Sequence, residues 1–176
     1  LLDETSSAYG YYQTLHYKNR HTAVHLDEYL HALETFQDDV AVCRLITDNN
    51  QSFNHLQKRH EETNQKLFQS IWGHSEWTAE EDTQAQAFLS SSLLRSIDLC
   101  LVVSAVTMSL QACFDIRKCL WLLEASQHQE TIVRQRALIG LLLTLNTYPD
   151  QCLLYPELKS RISLSDENGW LGKELN

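Results

Sequence analysis

The chain contains very few of the residues that end or bend helices. Only 5 glycines and 2 prolines occur in its 176 residues. Sheet proteins need such residues at the tight turns between strands, whereas long helices need them only near their ends. The 43% of hydrophobic residues is enough to build a core. The sequence therefore predicts an all-α fold with long helices and few breaks.

Besides a short first helix that ends near Arg20, apolar spacing and stop signals place three helices in the first half of the chain. One apolar stripe runs from Leu26 towards Ile46. The segment 53–73 has a thin apolar stripe beside a wide polar surface and ends in a glycine, which is typical of an outer helix. Thr78-Ala-Glu-Glu81 is a capping box, so a third helix should begin at about residue 79.

The second half of the chain is more apolar. Two strongly apolar helices are predicted at about 94–112 and 131–145, with an amphipathic helix at 116–125 between them. A helix that is apolar on nearly all sides must be covered on several sides by other helices. We therefore expect the segment 137–145 to be flanked by neighbours, as in a bundle centre or a solenoid interior.

Residues 116–145 resemble one repeat of the HEAT family. In that family an amphipathic helix precedes a second helix that opens with Val-Arg-x-x-Ala and continues apolar. Here a polar link of five residues leads to Val133-Arg-Gln-Arg-Ala137. An offset of 37 residues gives a fainter second copy, close to the repeat length of this class. The offset sets Thr78 against Asp115, Ala85 against Leu122, Cys100 against Ala137 and Leu101 against Leu138.

The resemblance covers about residues 78–146, and the fainter copy lacks the Val-Arg-x-x-Ala run. It implies antiparallel helical hairpins stacked as an α–α superhelix, and an irregular helical bundle is the alternative. We treat 1–176 as one helical domain, with a helical N-terminal part at 1–75 and HEAT-like helix pairs at 78–163. Because the first residue is Leu1, we expect the chain to be a piece of a longer protein.

Charge and cysteine usage restrict the partners and the compartment. The net charge of −9 offers no basic surface for nucleic acid or for a membrane surface. The longest apolar stretch, 99–114, is too short and too polar to span a membrane. Five cysteines without a CxxC pair indicate reduced, buried thiols, and we predict a cytoplasmic protein.

One group of side chains is a candidate metal site. His21, His25 and Glu28 stand at i, i+4 and i+7, so a helix would place them on one face. Two histidines and a carboxylate can bind a divalent transition metal. The sequence lacks the glutamate of the HExxH motif, and it assigns no fourth ligand. We therefore predict no metal and no other cofactor, and keep these three residues as the alternative.

Aromatic residues supply candidates for an interaction surface. Trp72 and Trp77 flank the turn at 73–76 and are expected at the surface, whereas Trp121 is expected in the core. His60 falls on the thin apolar stripe of its helix, so it should be hydrogen-bonded to a neighbour.

These observations predict a function without catalysis. No GxSxG motif, phosphate-binding loop or paired nucleophile and base is present. We expect a protein–protein interaction or scaffold module that binds another protein or another domain of the same chain, with its oligomeric state open. The alternatives are a helical metal-binding or metal-dependent enzyme domain and a regulatory domain of a larger enzyme.

Overall fold

The computed structural model describes residues 25–46 and 50–166, and within these ranges it contains helices and no strands. This confirms the all-α class. The helices are α1 (Leu26–Ile46), α2 (Asn50–Gly73), α3 (Ala79–Ser90), α4 (Ser96–Ala112), α5 (Ile116–Ala125), α6 (Thr131–Thr147), α7 (Pro149–Leu153) and α8 (Pro156–Asp166).

Local sequence signals explain where the helices begin and end. Helix α2 ends at Gly73, as predicted. Thr78 caps α3, since the Glu81 amide donates to the Thr78 hydroxyl at 3.2 Å while the Glu81 carboxylate accepts from the Thr78 amide at 2.8 Å. Asp115 caps α5 by accepting a hydrogen bond of 3.0 Å from the Arg117 amide.

The helices pack in two rows. In one row α2 lies against α4, and α4 lies against α6. In the other row α1 lies against α3, α3 against α5, and α5 against α8. Contacts of α1 with α2, and of α5 with α4 and α6, join the rows, so each row covers the apolar side of the other.

The core lies between the two rows. Trp121 is fully buried there, as predicted, and its indole N–H donates to the Ala85 carbonyl at 2.8 Å. The ring of Trp77 meets the ring of Trp121 edge to face, with 6.1 Å between centroids. A second, smaller cluster joins α5, α6 and α8. Its buried members are Cys119, Leu123, Leu141 and Leu158.

Three of the four residue pairs aligned by the 37-residue offset have similar structural roles, whereas Leu101 is partly exposed and Leu138 is buried. Thr78 and Asp115 are both N-cap residues. The pairs Ala85 with Leu122 and Cys100 with Ala137 are buried throughout. These similarities agree with two related helix pairs, and the HEAT-like repeat and its superhelix stay predictions.

Candidate functional site

Helices α2, α4 and α6 carry apolar side chains on their outer side, and these are partly buried on α2 and, apart from Leu101, exposed on α4 and α6. On α4, residues Ile97, Leu101, Ser104 and Met108 are spaced by four, three and four positions, which places them on one side of the helix. Residues 132, 136, 139 and 143 of α6 have the same spacing, as do 61, 65, 68 and 72 of α2. We call this surface the open face. Its apolar members are Phe68, Trp72, Ile97, Leu101, Met108, Ile132, Ile139 and Leu143.

The exposure of α6 corrects one expectation from the sequence. We expected this apolar helix to be flanked on several sides, but Ile132 is 52% exposed and Ile139 is 60% exposed. Only the side of α6 that carries Val133, Ala137 and Leu141 is buried, against α4 and α5. The row ends at α6 within the described residues, so no further helix covers the other side.

A groove of about 480 Å³ separates α4 from α6 on the open face. Met108, Ile132 and Ile139 form its apolar walls, and Gly140 lies in its lining. A Cβ atom on Gly140 would lie 2.2 Å from the Thr107 hydroxyl oxygen, so glycine is what lets the two helices approach this closely.

Arg136 is the charged residue of this groove. Its guanidinium donates to the Ser104 hydroxyl at 2.8 Å. It forms no ion pair with any acidic residue in the described part of the chain. Helix α6 contains no aspartate or glutamate, and the one acid of α4, Asp98, is buried and bound elsewhere.

A second groove of about 600 Å³ lies between α2 and α4. Phe68, Trp72 and Leu101 supply its apolar lining, with Glu61 and Gln65 among the polar residues. Trp72 is partly buried, and its ring is 6.0 Å from the ring of Phe68. Helix α4 separates the two grooves: Leu101 lines one groove and Met108 lines the other.

Trp77 does not belong to the surface, and the prediction that it does is wrong. Its side chain is 2% exposed and packs on Trp121. The Asp115 carboxylate accepts a hydrogen bond of 2.8 Å from the Trp77 amide, which fixes the turn before α3. The sequence placed Trp77 in a polar turn and could not show that the turn folds back over α5.

The candidate metal ligands are described only in part. His21 lies outside the described residues, while His25 is exposed just before α1 and Glu28 is exposed in its first turn. Across residues 25–46 and 50–166, no group of three or more His, Cys, Asp or Glu side chains could hold a metal ion.

A buried polar cluster joins α2 to the start of α4. The His60 imidazole contacts the Asp98 carboxylate at 3.0 Å, which confirms the predicted bonding of His60 to a neighbour. Asn64 and Arg95 also donate to Asp98, at 2.9 and 2.7 Å. Burial raises the pKa of Asp98, but the bonds from Arg95, Asn64 and His60 outweigh it and hold that pKa below its usual range.

A cavity of about 480 Å³ borders this cluster. Its lining within the described residues contains no serine, threonine or cysteine that His60 could activate. Phe36 covers the imidazole, with 4.0 Å between ring centroids, and the Arg95 guanidinium lies over Phe36. The cluster therefore fastens α1, α2 and α4 together.

Lys118 is a second buried charged group. Its ammonium donates to the His74 carbonyl and to the Ser109 hydroxyl, and it lies 5.5 Å from the centroid of the Trp77 ring. Burial lowers the pKa of Lys118 from 10.5 to about 8, while the charge of Asp115 acts in the opposite direction. Lys118 thus holds the turn after α2, and its contacts leave it no access to solvent.

Burial makes three of the five cysteines less reactive. All five are free thiols, although only Cys100 and Cys119 are fully buried, which corrects the expectation that all are. Burial raises the pKa of Cys119 to about 12 and also raises the pKa values of Cys100 and Cys152. A raised pKa keeps a thiol protonated and unreactive at neutral pH.

Comparisons of the chain with protein-family models, curated proteins and solved structures found no match. In the described residues, the fold is that of an all-α protein, and one row of its helices has a grooved apolar surface. In the part of the chain that the structure describes, each helix is too short or too polar to cross a bilayer.

The sequence alone did not identify the open face. Residues such as Met108 and Ile139 lie in segments so apolar that burial was the natural expectation. The available signal was the lack of a polar side on α6, because a helix without one needs more cover than two neighbours provide.

Proposed function

We propose that this chain is a protein–protein interaction or scaffold module without a catalytic role, and that the open face is its docking surface. The observation that carries the proposal is the row of half-exposed Ile, Leu and Met side chains beside a groove of about 480 Å³. Contiguous apolar patches on a protein surface are typical of sites that bind other proteins. The partner is another protein or another domain of the same chain.

The energetic argument follows from the exposed area. Full burial of one Ile or Leu side chain stabilises by roughly 1.5–3 kcal/mol, and about half of that is still available at Ile132, Ile139 and Leu143. A partner that covers Ile132, Ile139 and Leu143 would gain this stabilisation without rearranging the helices. A HEAT-like stack of hairpins in the cytoplasm would present such a surface, and the two-row packing and the five free thiols support this part of the proposal.

The experiment compares two glutamate substitutions at equally exposed positions. Ile139→Glu places a charge in the open face, whereas Leu164→Glu places one on α8 in the other row, where Leu164 is 61% exposed. Both variants and the wild type are used as bait in native lysate, and bound proteins are quantified by mass spectrometry. Circular dichroism and thermal melting first establish that each bait is folded.

We expect a set of proteins that the wild type and Leu164→Glu retain and that Ile139→Glu loses. Ile132→Glu, at a second exposed position of the same face, should lose the same set. If the two open-face variants capture the same proteins as the wild type, the open face is not the docking surface.

A further inference from the structure

The α4–α6 groove combines apolar walls with one charge that nothing in it neutralises. Arg136 lines the groove beside Ile132 and Ile139, and its guanidinium donates to the neutral Ser104 hydroxyl. No acidic residue is present on α6, and the only acid of α4 is the buried Asp98. The groove therefore has a positive local charge on a chain whose net charge is −9.

We propose that the partner docks in this groove as an amphipathic helix that carries an acidic residue beside its apolar stripe. This inference rests on the proposed function, and it adds the chemistry of the partner. Arginine is suited to this contact because its guanidinium can donate two parallel hydrogen bonds to one carboxylate.

The open face along α6, which includes the groove, is long enough for a helix of about three turns. Ile132 and Leu143 are eleven positions apart on α6, which corresponds to about 16 Å along the helix axis. A partner helix can place apolar side chains at positions i, i+4 and i+7 over that length. Its acidic residue would lie on the flank that faces Arg136, near the middle of the groove.

An acidic partner is selected by its contact with Arg136 and not by the net charge of the whole chain. At about 150 mM salt the screening length is about 8 Å, so most of the chain's other charges do not reach the groove. A lysine in the same position of the partner helix would meet Arg136 at close range, and like charges in contact oppose docking.

The test uses designed peptides in place of the natural partner. Two capped 18-residue amphipathic helices have identical leucine stripes, and one carries glutamates on its flanks where the other carries lysines. Each peptide bears a fluorophore, and its binding to the 176-residue chain is measured by anisotropy at about 150 mM salt. The protein variants are Arg136→Glu, Ile139→Glu and a control, Lys159→Glu, which reverses an exposed charge on α8.

We expect the glutamate peptide to bind the wild type about three- to ten-fold more tightly than the lysine peptide. Arg136→Glu should reverse that order, while Lys159→Glu should preserve it. Ile139→Glu should weaken both peptides.

Three results would overturn the inference, and they separate it from the proposed function. If both peptides bind equally and Ile139→Glu weakens both, the open face is a docking surface, but its partner is not selected by acidity. If the wild type binds neither peptide, the helical partner is wrong, and the lysate comparison alone tests the proposed function. If sedimentation shows a dimer that Ile139→Glu dissociates, the occupant is a second copy of this chain.

Discussion

Replacing Lys118 by methionine tests whether a charged ammonium is buried in the core. Lys118 is 0% exposed and lies among Trp77, His74 and Ser109. Methionine has a similar length and no charge, so it fills the same space. The variant loses the hydrogen bonds that Lys118 donates to His74 and Ser109. The charge also contributes a term that changes with pH.

The sign of this term follows from the lowered pKa. Burial brings the pKa of Lys118 to about 8 in the folded chain, against 10.5 for an unburied lysine. At about 1.4 kcal/mol per pKa unit, the folded state carries a penalty of about 3 kcal/mol at pH 7. Between pH 8 and 10.5 the unfolded chain binds more protons than the folded chain, so stability increases as the pH rises.

The assay is urea unfolding of both proteins at pH 7, 8, 9 and 10, followed by tryptophan fluorescence. The buried Trp77 and Trp121 report the loss of the core. Relative to Lys118→Met, the wild type should gain about 1 kcal/mol of unfolding free energy between pH 7 and 9, and about 2–3 kcal/mol by pH 10. A difference that stays constant from pH 7 to 10 would refute the burial of a charged lysine.

Three further changes test how the helices are held. Asp98→Ala should cost about 3 kcal/mol in urea unfolding at pH 7, because it removes the carboxylate that the buried His60 and the partly buried Asn64 and Arg95 contact. The pKa of Asp98 lies below 3.8 in the folded state, so the charged carboxylate stabilises the fold only above that pKa. The cost of Asp98→Ala should therefore diminish as the pH falls below 3.8. Gly140→Ala should cost about 1–3 kcal/mol, and Thr107→Ala should restore most of it by removing the oxygen 2.2 Å from the added Cβ; an unrestored double variant contradicts this explanation. Thr78→Ala should cost about 1 kcal/mol, and a change below a few tenths would refute the role of the capping box.

Local signals in the sequence were sufficient for the class of fold and for many helix ends. The scarcity of glycine and proline predicted long helices, and Gly73, Thr78 and Asp115 stand at helix termini in the structure. These signals work because capping involves residues within a few positions of each other along the chain. Because His60 lies on the apolar stripe of its helix, the sequence also predicted a hydrogen-bonding neighbour for it. The sequence did not identify that neighbour as Asp98.

Which residues are covered was decided by tertiary structure. Trp77 and Trp72 stand five positions apart, yet the first is buried against Trp121 and the second borders an open groove. Ile139 and Leu141 are both apolar residues of α6, but only Leu141 faces the interior. Hydrophobicity makes burial favourable without specifying the partner, because the hydrophobic effect has no direction. The packing of α6 on α4 and α5 determines which side of the helix is left exposed.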